Sequence, residues 1–577
     1  DLPKLAWAFG SLNVRSRELF DMIAEEAASK THDLSPRGLS NILWSFAKAR
    51  MENGGLWRLL RGGDLIRKLD GSSSQNLSNL AWALATLSMF DEAVSRLVMN
   101  AAKQKLREFS PQGLANLLWA SAKLGAVDAM LFQGMTRQAT VKIAEFAPQG
   151  LSSLVWSFAK AALVPDHGLL SAVSTQATAK IEALAPQGLA NVAWSFATLA
   201  SGEHRLFREV SRQFVARLAE FKPQEFSNIV WAVASAAAGS PHFVSAASDG
   251  FELRAEVLNA QELSNLAWAF AMLGALRSSI YHVLAAEAIK KMADFSSQGI
   301  SNLVWAVATS GTSSAGTLLW AAAREAEGRT EDFKPQELSN TVWAFATVGL
   351  QHPTLFCSVV PVAINKRNEL SPQNNANILW AFAKLQVCRR SGLFPALLST
   401  SIGNVPQHKP QEISQIVWAA SREDYSTCKR FLWTTAQLCS KRLHEFSPQA
   451  LANMIEAYAV MGADTPAFSE AMARESVCRL HQFEPMALSN LFRGVTLSAR
   501  RRPAHLNSNP GSERHNAAMD TIAAHITHRL GELQDNDLNY VNHCLQSLGR
   551  SISESLPGTA ALAAALPREC LRRRQAA

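Results

Sequence analysis

The chain has 577 residues, of which 48% are apolar and 18% charged, and this composition excludes wholesale disorder. Its 30 Gly and 22 Pro exclude a collagen-like or proline-rich chain. Lys and Arg number 56 against 48 Asp and Glu, a net charge of +8 that suits a polyanionic partner without requiring one.

The chain begins at Asp1 inside a motif, Leu5-Ala6-Trp7-Ala8-Phe9, so the sequence reads as truncated within a repeat. Trp then recurs at 44, 82, 119, 156, 194, 231, 268, 305, 343, 380 and 418, always 37 or 38 residues apart. Each sits in a version of Ser-Pro-Gln-x-Leu-Ser-Asn-x-x-Trp-Ala-Phe-Ala, as in Ser35 to Trp44 and Lys334 to Trp343. Three further copies put Glu456, Arg493 and His543 at the Trp position. About fifteen repeats of 37–38 residues result, and a fixed period of this length predicts a solenoid.

Each repeat predicts two helices. Ser35, Ser110, Ser371 and Ser447 fit helix N-caps, and the Pro that follows fits the first helical position. Where Lys222, Lys334 and Lys409 replace the Ser, Glu225, Glu337 and Glu412 stand three residues on, so a Lys–Glu pair is expected to replace the cap. Leu39, Ile42, Leu43 and Phe46 form one apolar face, and Ser40, Trp44 and Ala47 a second. Two such faces require neighbours on both sides, which reads the Trp column as inter-repeat core. The fold expected is all-α, a right-handed-type α-solenoid superhelix of helix-turn-helix repeats. Tandem repeats span 1–499, a polar insertion loop 500–515, a last degenerate repeat 516–550, and an Ala-rich basic tail 551–577.

Two columns carry polar chemistry. Fourteen residues before the Trp position stand Lys30, Lys68, Lys105, Lys142, Lys180, Arg217, Arg254, Lys291, Arg329, Lys366, Asn404, Arg442, Arg479 and Arg529. Thirteen of these fourteen are cationic. They read either as complements to a helix C-terminus or as a rail for RNA phosphates, and the rail is favoured. Three residues before the Trp position stand Asn41, Asn79, Asn116, Asn191, Asn228, Asn265, Asn302, Asn340, Asn377 and Asn453. Seven residues beyond the Asn, the same stripe carries Lys48, Lys123, Lys160 and Lys384, alternating with Thr86, Thr198, Thr309 and Thr347. An amide offers donor and acceptor to a base edge, but the near-constant Asn discriminates bases poorly. An inter-repeat hydrogen-bond ladder is therefore the favoured reading of the Asn.

The repeated Pro-Gln-x-Leu-[Ser/Ala]-Asn-x-x-Trp-[Ala/Ser]-Phe-Ala block resembles the octotricopeptide repeats of algal organelles, and its spacing is similar to the apicomplexan heptatricopeptide repeats. It also resembles helical repeats of FAST-kinase-like mitochondrial proteins and of kinetoplastid RNA-editing substrate-binding subunits. The resemblance implies an organellar protein, mitochondrial or alternatively of the plastid, that binds single-stranded RNA in processing, stability, translation or ribosome assembly. The alternative is a protein-binding scaffold in a mitoribosome, an RNA-editing complex or another ribonucleoprotein. Many relatives end in a small nuclease-like RAP domain, which is not seen in this sequence.

No catalytic role and no cofactor are expected. Gly-rich phosphate loops, HExxH and GxSxG are missing from the sequence, and the 14 His are scattered. The 7 Cys form no CxxC, so neither a zinc site nor a disulfide framework is expected, and a reducing compartment fits. No run of 18 apolar residues occurs, so no membrane span is expected.

Overall fold

The protein is described from a computed structural model, which describes residues 2–61, 65–275, 277–311, 315–389, 391–463, 465–501, 510–548 and 556–576. All regular structure among them is helical. Two compact units divide the chain, Asp1–Leu284 and Ala285–Ala577. Eight first helices of the repeats fall in the first unit, from Leu2–Ser11 to Ala260–Met272, and seven in the second, from Ser297–Ser310 to Asp535–Leu548. Within each unit first helices pack on first helices of the adjacent repeats, and second helices on second helices. Each unit is thus an α-solenoid, with its contacts between sequence neighbours.

The helix starts follow from the motif. The hydroxyls of Ser35, Ser110, Ser296 and Ser447 accept the N–H of the residue three further on, at 3.1 to 3.2 Å. Where Lys replaces Ser, the carboxylates of Glu225, Glu337 and Glu412 accept the backbone N–H of Lys222, Lys334 and Lys409, at 2.8 to 3.0 Å. The Lys–Glu coupling therefore runs through the lysine's backbone, since an ammonium cannot accept a hydrogen bond. Asn259 and Glu262 make the reciprocal box, both bonds at 2.9 Å.

Most repeats close on a short 3₁₀ turn, such as Ile143–Glu145, that leads into the next first helix. An aromatic or Leu after that turn is buried: Phe109, Phe146, Leu184, Phe295 and Phe333 are 1% exposed or less. The core lies between the first helices and the second helices and is shared by adjacent repeats. Around residue 214 it is aromatic: the Phe214 ring stands 5.0 Å from Phe243 and 5.4 Å from both Phe221 and Phe226.

The C-terminal segments depart from the expected boundaries. Arg500 and Arg501 end the helix Pro485–Arg501, and 510–515 open the helix Pro510–His528. Of the expected insertion loop, 502–509 lie outside the described residues. Of the tail, 551–555 and 577 do so as well, and the rest forms the helix Pro557–Ala576, packed on Pro510–His528. Thr559, Leu562 and Leu566 are buried against it, and the Thr559 N–H donates to the Asp520 carboxylate at 2.9 Å.

Phe214→Ala removes a fully buried ring from three aromatic neighbours and is expected to cost roughly 3–5 kcal/mol. Hydrogen exchange should show the loss in the helices His204–Ala216 and Pro223–Ser235 first, because contacts in a solenoid are local.

Candidate functional site

The cationic column lies at the ends of the second helices, and its charged groups reach into the preceding repeat. Lys142 Nζ donates to the carbonyls of Phe109 (2.6 Å) and Arg107 (3.1 Å). Lys180 does the same to Phe146 (2.8 Å) and Ala144 (2.9 Å), and Lys105 to Ser72 (2.5 Å) and Asp70 (3.0 Å). Lys68, buried, donates to Thr31. Arg217 and Arg254 donate to Leu184 (2.9 Å) and Leu218 (2.7 Å). In the second unit Arg329, Lys366, Arg479 and Arg529 donate to Phe295 (3.1 Å), Phe333 (2.9 Å), Phe446 (2.8 Å) and Phe483 (2.7 Å). Arg442 reaches Pro406 at 3.4 Å. Lys30 is exposed and pairs with Glu26, and Lys291 lies 3.7 Å from Glu287.

The acceptor carbonyls lie at the end of the preceding repeat, just before the first helix of the cation's own repeat. Eleven of the thirteen cations therefore staple the end of their own repeat to the end of the one before, a role absent from both sequence readings of the column. An acid three residues on also pairs with several arginines: Arg217–Glu220 at 2.9 Å, Arg329–Asp332 at 3.5 Å, Arg442–Glu445 at 2.8 Å and Arg529–Glu532 at 2.6 Å. Hydrogen bonds from Arg442 and Arg529 hold Glu445 and Glu532 below the usual carboxylate range. The pattern was visible in the sequence, where Asp or Glu also stands three residues after Lys30, Lys105, Lys142, Lys291 and Lys366.

The amide column behaves in the opposite way. Asn41, Asn79, Asn116, Asn191, Asn228, Asn265, Asn302, Asn340 and Asn377 are half-buried, and their amides bond to no protein group among the described residues. Asn453 accepts from Gln449 at 2.9 Å, within its own helix. Among the described residues no inter-repeat amide ladder forms, because the Asn lie along the outer ridge of the first helices, away from the apolar seam.

Trp occupies the same ridge. Trp7 is 51% exposed, and the other eleven indoles of the column are half-buried rather than enclosed in core. The core contacts fall to the flanking Leu, Val and Phe, leaving each indole one open face. Trp231 and Trp268 stand 6.1 Å apart with planes tilted by 34°. Lys123 and Lys384 lie over Trp119 and Trp380 at 4.9 and 4.7 Å, and burial there pushes both below the ordinary lysine value. Lys48 and Lys160 are exposed on the same stripe.

In the first unit this ridge encloses a groove of about 540 Å³ across four repeats. It is lined by Trp7, Asn41, Trp44, Gln75, Asn79, Gln112 and Asn116, with Ser74 and Ser78. The groove offers amides, hydroxyls and indole faces and, apart from Glu108 at its edge, no charge.

The Trp column changes character at its end in the second unit. Glu456 is buried and bonds the Arg493 guanidinium, which stands 5.5 Å over the Tyr540 ring. Gly494 lets the helices approach: a Cβ there would stand 2.7 Å from the Glu456 nitrogen. Burial pushes the Glu456 carboxyl above its ordinary value, although Arg493 opposes this.

The fold and the ridge define an all-α repeat protein built from stacked two-helix units with an amide–indole surface. Over residues 178–427 the chain matches the family model of the RNA-editing substrate-binding complex 6 protein, and there it is similar to an RNA-editing-related helical-repeat family. No curated protein matches the chain. Among the solved structures that match are two that align along its length. One is a homology model of the full-length AP-3 complex in an intermediate open conformation, with 9% identity, 98% of this chain and 90% of that chain covered, and a TM-score of 0.26. The other is a circular tandem repeat protein with novel repeat topology, with 12% identity, 99% and 96% covered, and a TM-score of 0.14. At those scores neither bears on fold or function. No helix among the described residues is long and apolar enough to cross a membrane.

Two variants probe the columns. Lys142→Met and Lys180→Met keep the aliphatic stem and leave two pairs of carbonyls without their cation. Each is expected to cost about 1–2 kcal/mol, the range of a charged hydrogen bond discounted for partial exposure. Unchanged denaturant midpoints would show that the staple contributes nothing. Arg493→Met leaves Glu456 buried without its counter-ion and costs up to roughly 3 kcal/mol at neutral pH. A carboxyl whose folded value is raised favours folding below its unfolded value near 4.5 and loses that contribution as pH rises through the folded value. The Arg493→Met penalty should therefore grow between pH 4.5 and 7, and Glu456→Gln added to it should flatten the profile.

Proposed function

We propose that the chain is a non-enzymatic α-solenoid subunit of an organellar RNA-processing assembly, of the RNA-editing-complex type, that acts as a scaffold for partner proteins. The observation that carries this reading is the placement of the cationic column. A phosphate rail needs cations that face outward, and here the ammonium and guanidinium groups are tied to carbonyls and acids of the repeats. The surface left for partners is the ridge of unbonded amides and half-open indoles. Similarity to the RNA-editing substrate-binding complex 6 protein over 178–427 supports an RNA-handling assembly. The motif's resemblance to octotricopeptide and heptatricopeptide repeats supports an organelle, the mitochondrion ahead of the plastid.

Direct binding of single-stranded RNA is the second reading, favoured by the same ridge, since amides read base edges and indoles stack on bases. A salt titration separates the two. Binding of a labelled single-stranded RNA to the purified chain should be weak, with a slope of log affinity against log salt shallower than about −2. Tight binding with a slope near −4, about six phosphates at −0.7 each, would put the RNA reading first. A photo-crosslinking residue at Asn116 gives the complementary test. In organelle extract it should attach to nuclease-resistant protein partners rather than to RNA.

A further inference from the structure

Cys357 and Cys388 belong to adjacent repeats, yet their Sγ atoms stand 2.9 Å apart. Cys357 lies in the second helix Pro353–Asn365 and is exposed, while Cys388 lies in the turn after the first helix Pro372–Leu385 and is half-buried. The Cys388 backbone has a φ of +51°, and Gln386 two residues earlier has +54°. Neither is glycine, so a left-handed conformation that L-residues disfavour is imposed twice in one turn. The turn is clamped on both sides. The Gln351 amide donates to the Leu385 carbonyl at 2.9 Å, and Arg389 donates to the Arg422 carbonyl at 2.8 Å. The geometry holds one thiol against the other across the repeat boundary.

We propose that Cys357 and Cys388 are a dithiol modification site, which a peroxide oxidises to a disulfide that ties the two repeats together. A disulfide places its sulfurs about 2 Å apart, so closure needs only a small movement of side chains. Cys357 reacts first because it is the exposed sulfur, whereas burial and the neighbouring thiol push Cys388 up to about 12. The Cys357 thiolate attacks one oxygen of hydrogen peroxide. The O–O bond breaks, the departing hydroxide takes up the thiol's proton as water, and Cys357 becomes a sulfenic acid. The Cys388 sulfur then attacks the Cys357 sulfur. The S–S bond forms, the S–O bond breaks, and the hydroxide leaves with the Cys388 proton as a second water. Two thiols are oxidised by two electrons and one peroxide is reduced to two waters. A dithiol reductant reverses the step, as the exposure of Cys357 permits.

The other cysteines do not share this arrangement. Cys428, Cys439 and Cys544 are buried, and burial pushes them to about 12, 11 and 11. Cys478 and Cys570 have no thiol beside them among the described residues. The proposal is independent of the scaffold reading, because it concerns a bond within the chain.

The test uses the full chain, reduced, freed of reductant and treated with stoichiometric hydrogen peroxide. The expected result is an intact mass lower by two hydrogens, a Cys357–Cys388 linked peptide in the non-reduced digest, and a melting temperature that rises and returns on adding dithiothreitol. Cys388→Ser should instead leave Cys357 as a sulfenic acid trapped by dimedone. Phenylarsine oxide, which needs two adjacent thiols, should label the untreated chain once and the oxidised chain not at all. Oxidation that yields only sulfinic acid on Cys357, or links either residue to a different cysteine, overturns the proposal, as does failure of the unmutated chain to take up the arsenical.

Discussion

A positive charge at the end of one repeat bonded to a backbone carbonyl at the end of the repeat before it is the interaction on which the stacking depends. The carbonyls concerned, such as those of Phe109, Phe146 and Phe333, lie between a 3₁₀ turn and a helix N-cap, where neither element supplies a donor. A buried carbonyl without a partner is costly, and a charged donor meets the need more strongly than a neutral one. Nothing else in the motif reaches that position. The cap hydroxyls act within their own helix, and the Leu, Val and Phe seam has no direction. The staple converts a non-directional apolar stack into one with a fixed register.

This accounts for a chain that keeps its cations while carrying almost as many acids. A net charge of +8 over 577 residues looks like a basic surface in the sequence. In space the charges are local: Arg442 and Arg529 each touch a carbonyl on one side and Glu445 or Glu532 on the other. The ridge of the first helices, with its amides, its indoles and the exposed Lys48 and Lys160, is the surface that the staples leave open. At its far end in the second unit the indoles give way to Glu456, Arg493 and His543, and an ion pair enters the column there.

The period, the two-helix repeat and the Ser-Pro starts were legible in the sequence because each rests on local rules of spacing and capping. Which residues face outward was less legible. Trp44 and Leu43 are neighbours in sequence and both apolar, yet Leu43 is fully buried and Trp44 is not. Composition gives no warning of this, since large apolar residues read as core. The Asn column misleads for a related reason. A polar residue recurring in a helix suggests an internal bond, but a ridge position leaves its amide in solvent. The cations mislead through reach: Lys142 and Phe109 are 33 residues apart, and only the stacked repeats bring them together.

The staple also fixes phase independently of contour length. Between most repeats the cation finds its carbonyl 33 or 34 residues back, but Arg529 finds that of Phe483 across 46. The additional residues fall between the starts of the first and second helices in sequence and lengthen both, Pro485–Arg501 and Pro510–His528, and the bond closes at 2.7 Å all the same. Successive repeats are thus indexed by a contact in space, as teeth index a rack, and the passage from first helix to second is where the chain can lengthen without loss of register. Elaborations of this architecture are expected to accumulate there, on the edge of the array away from the staples.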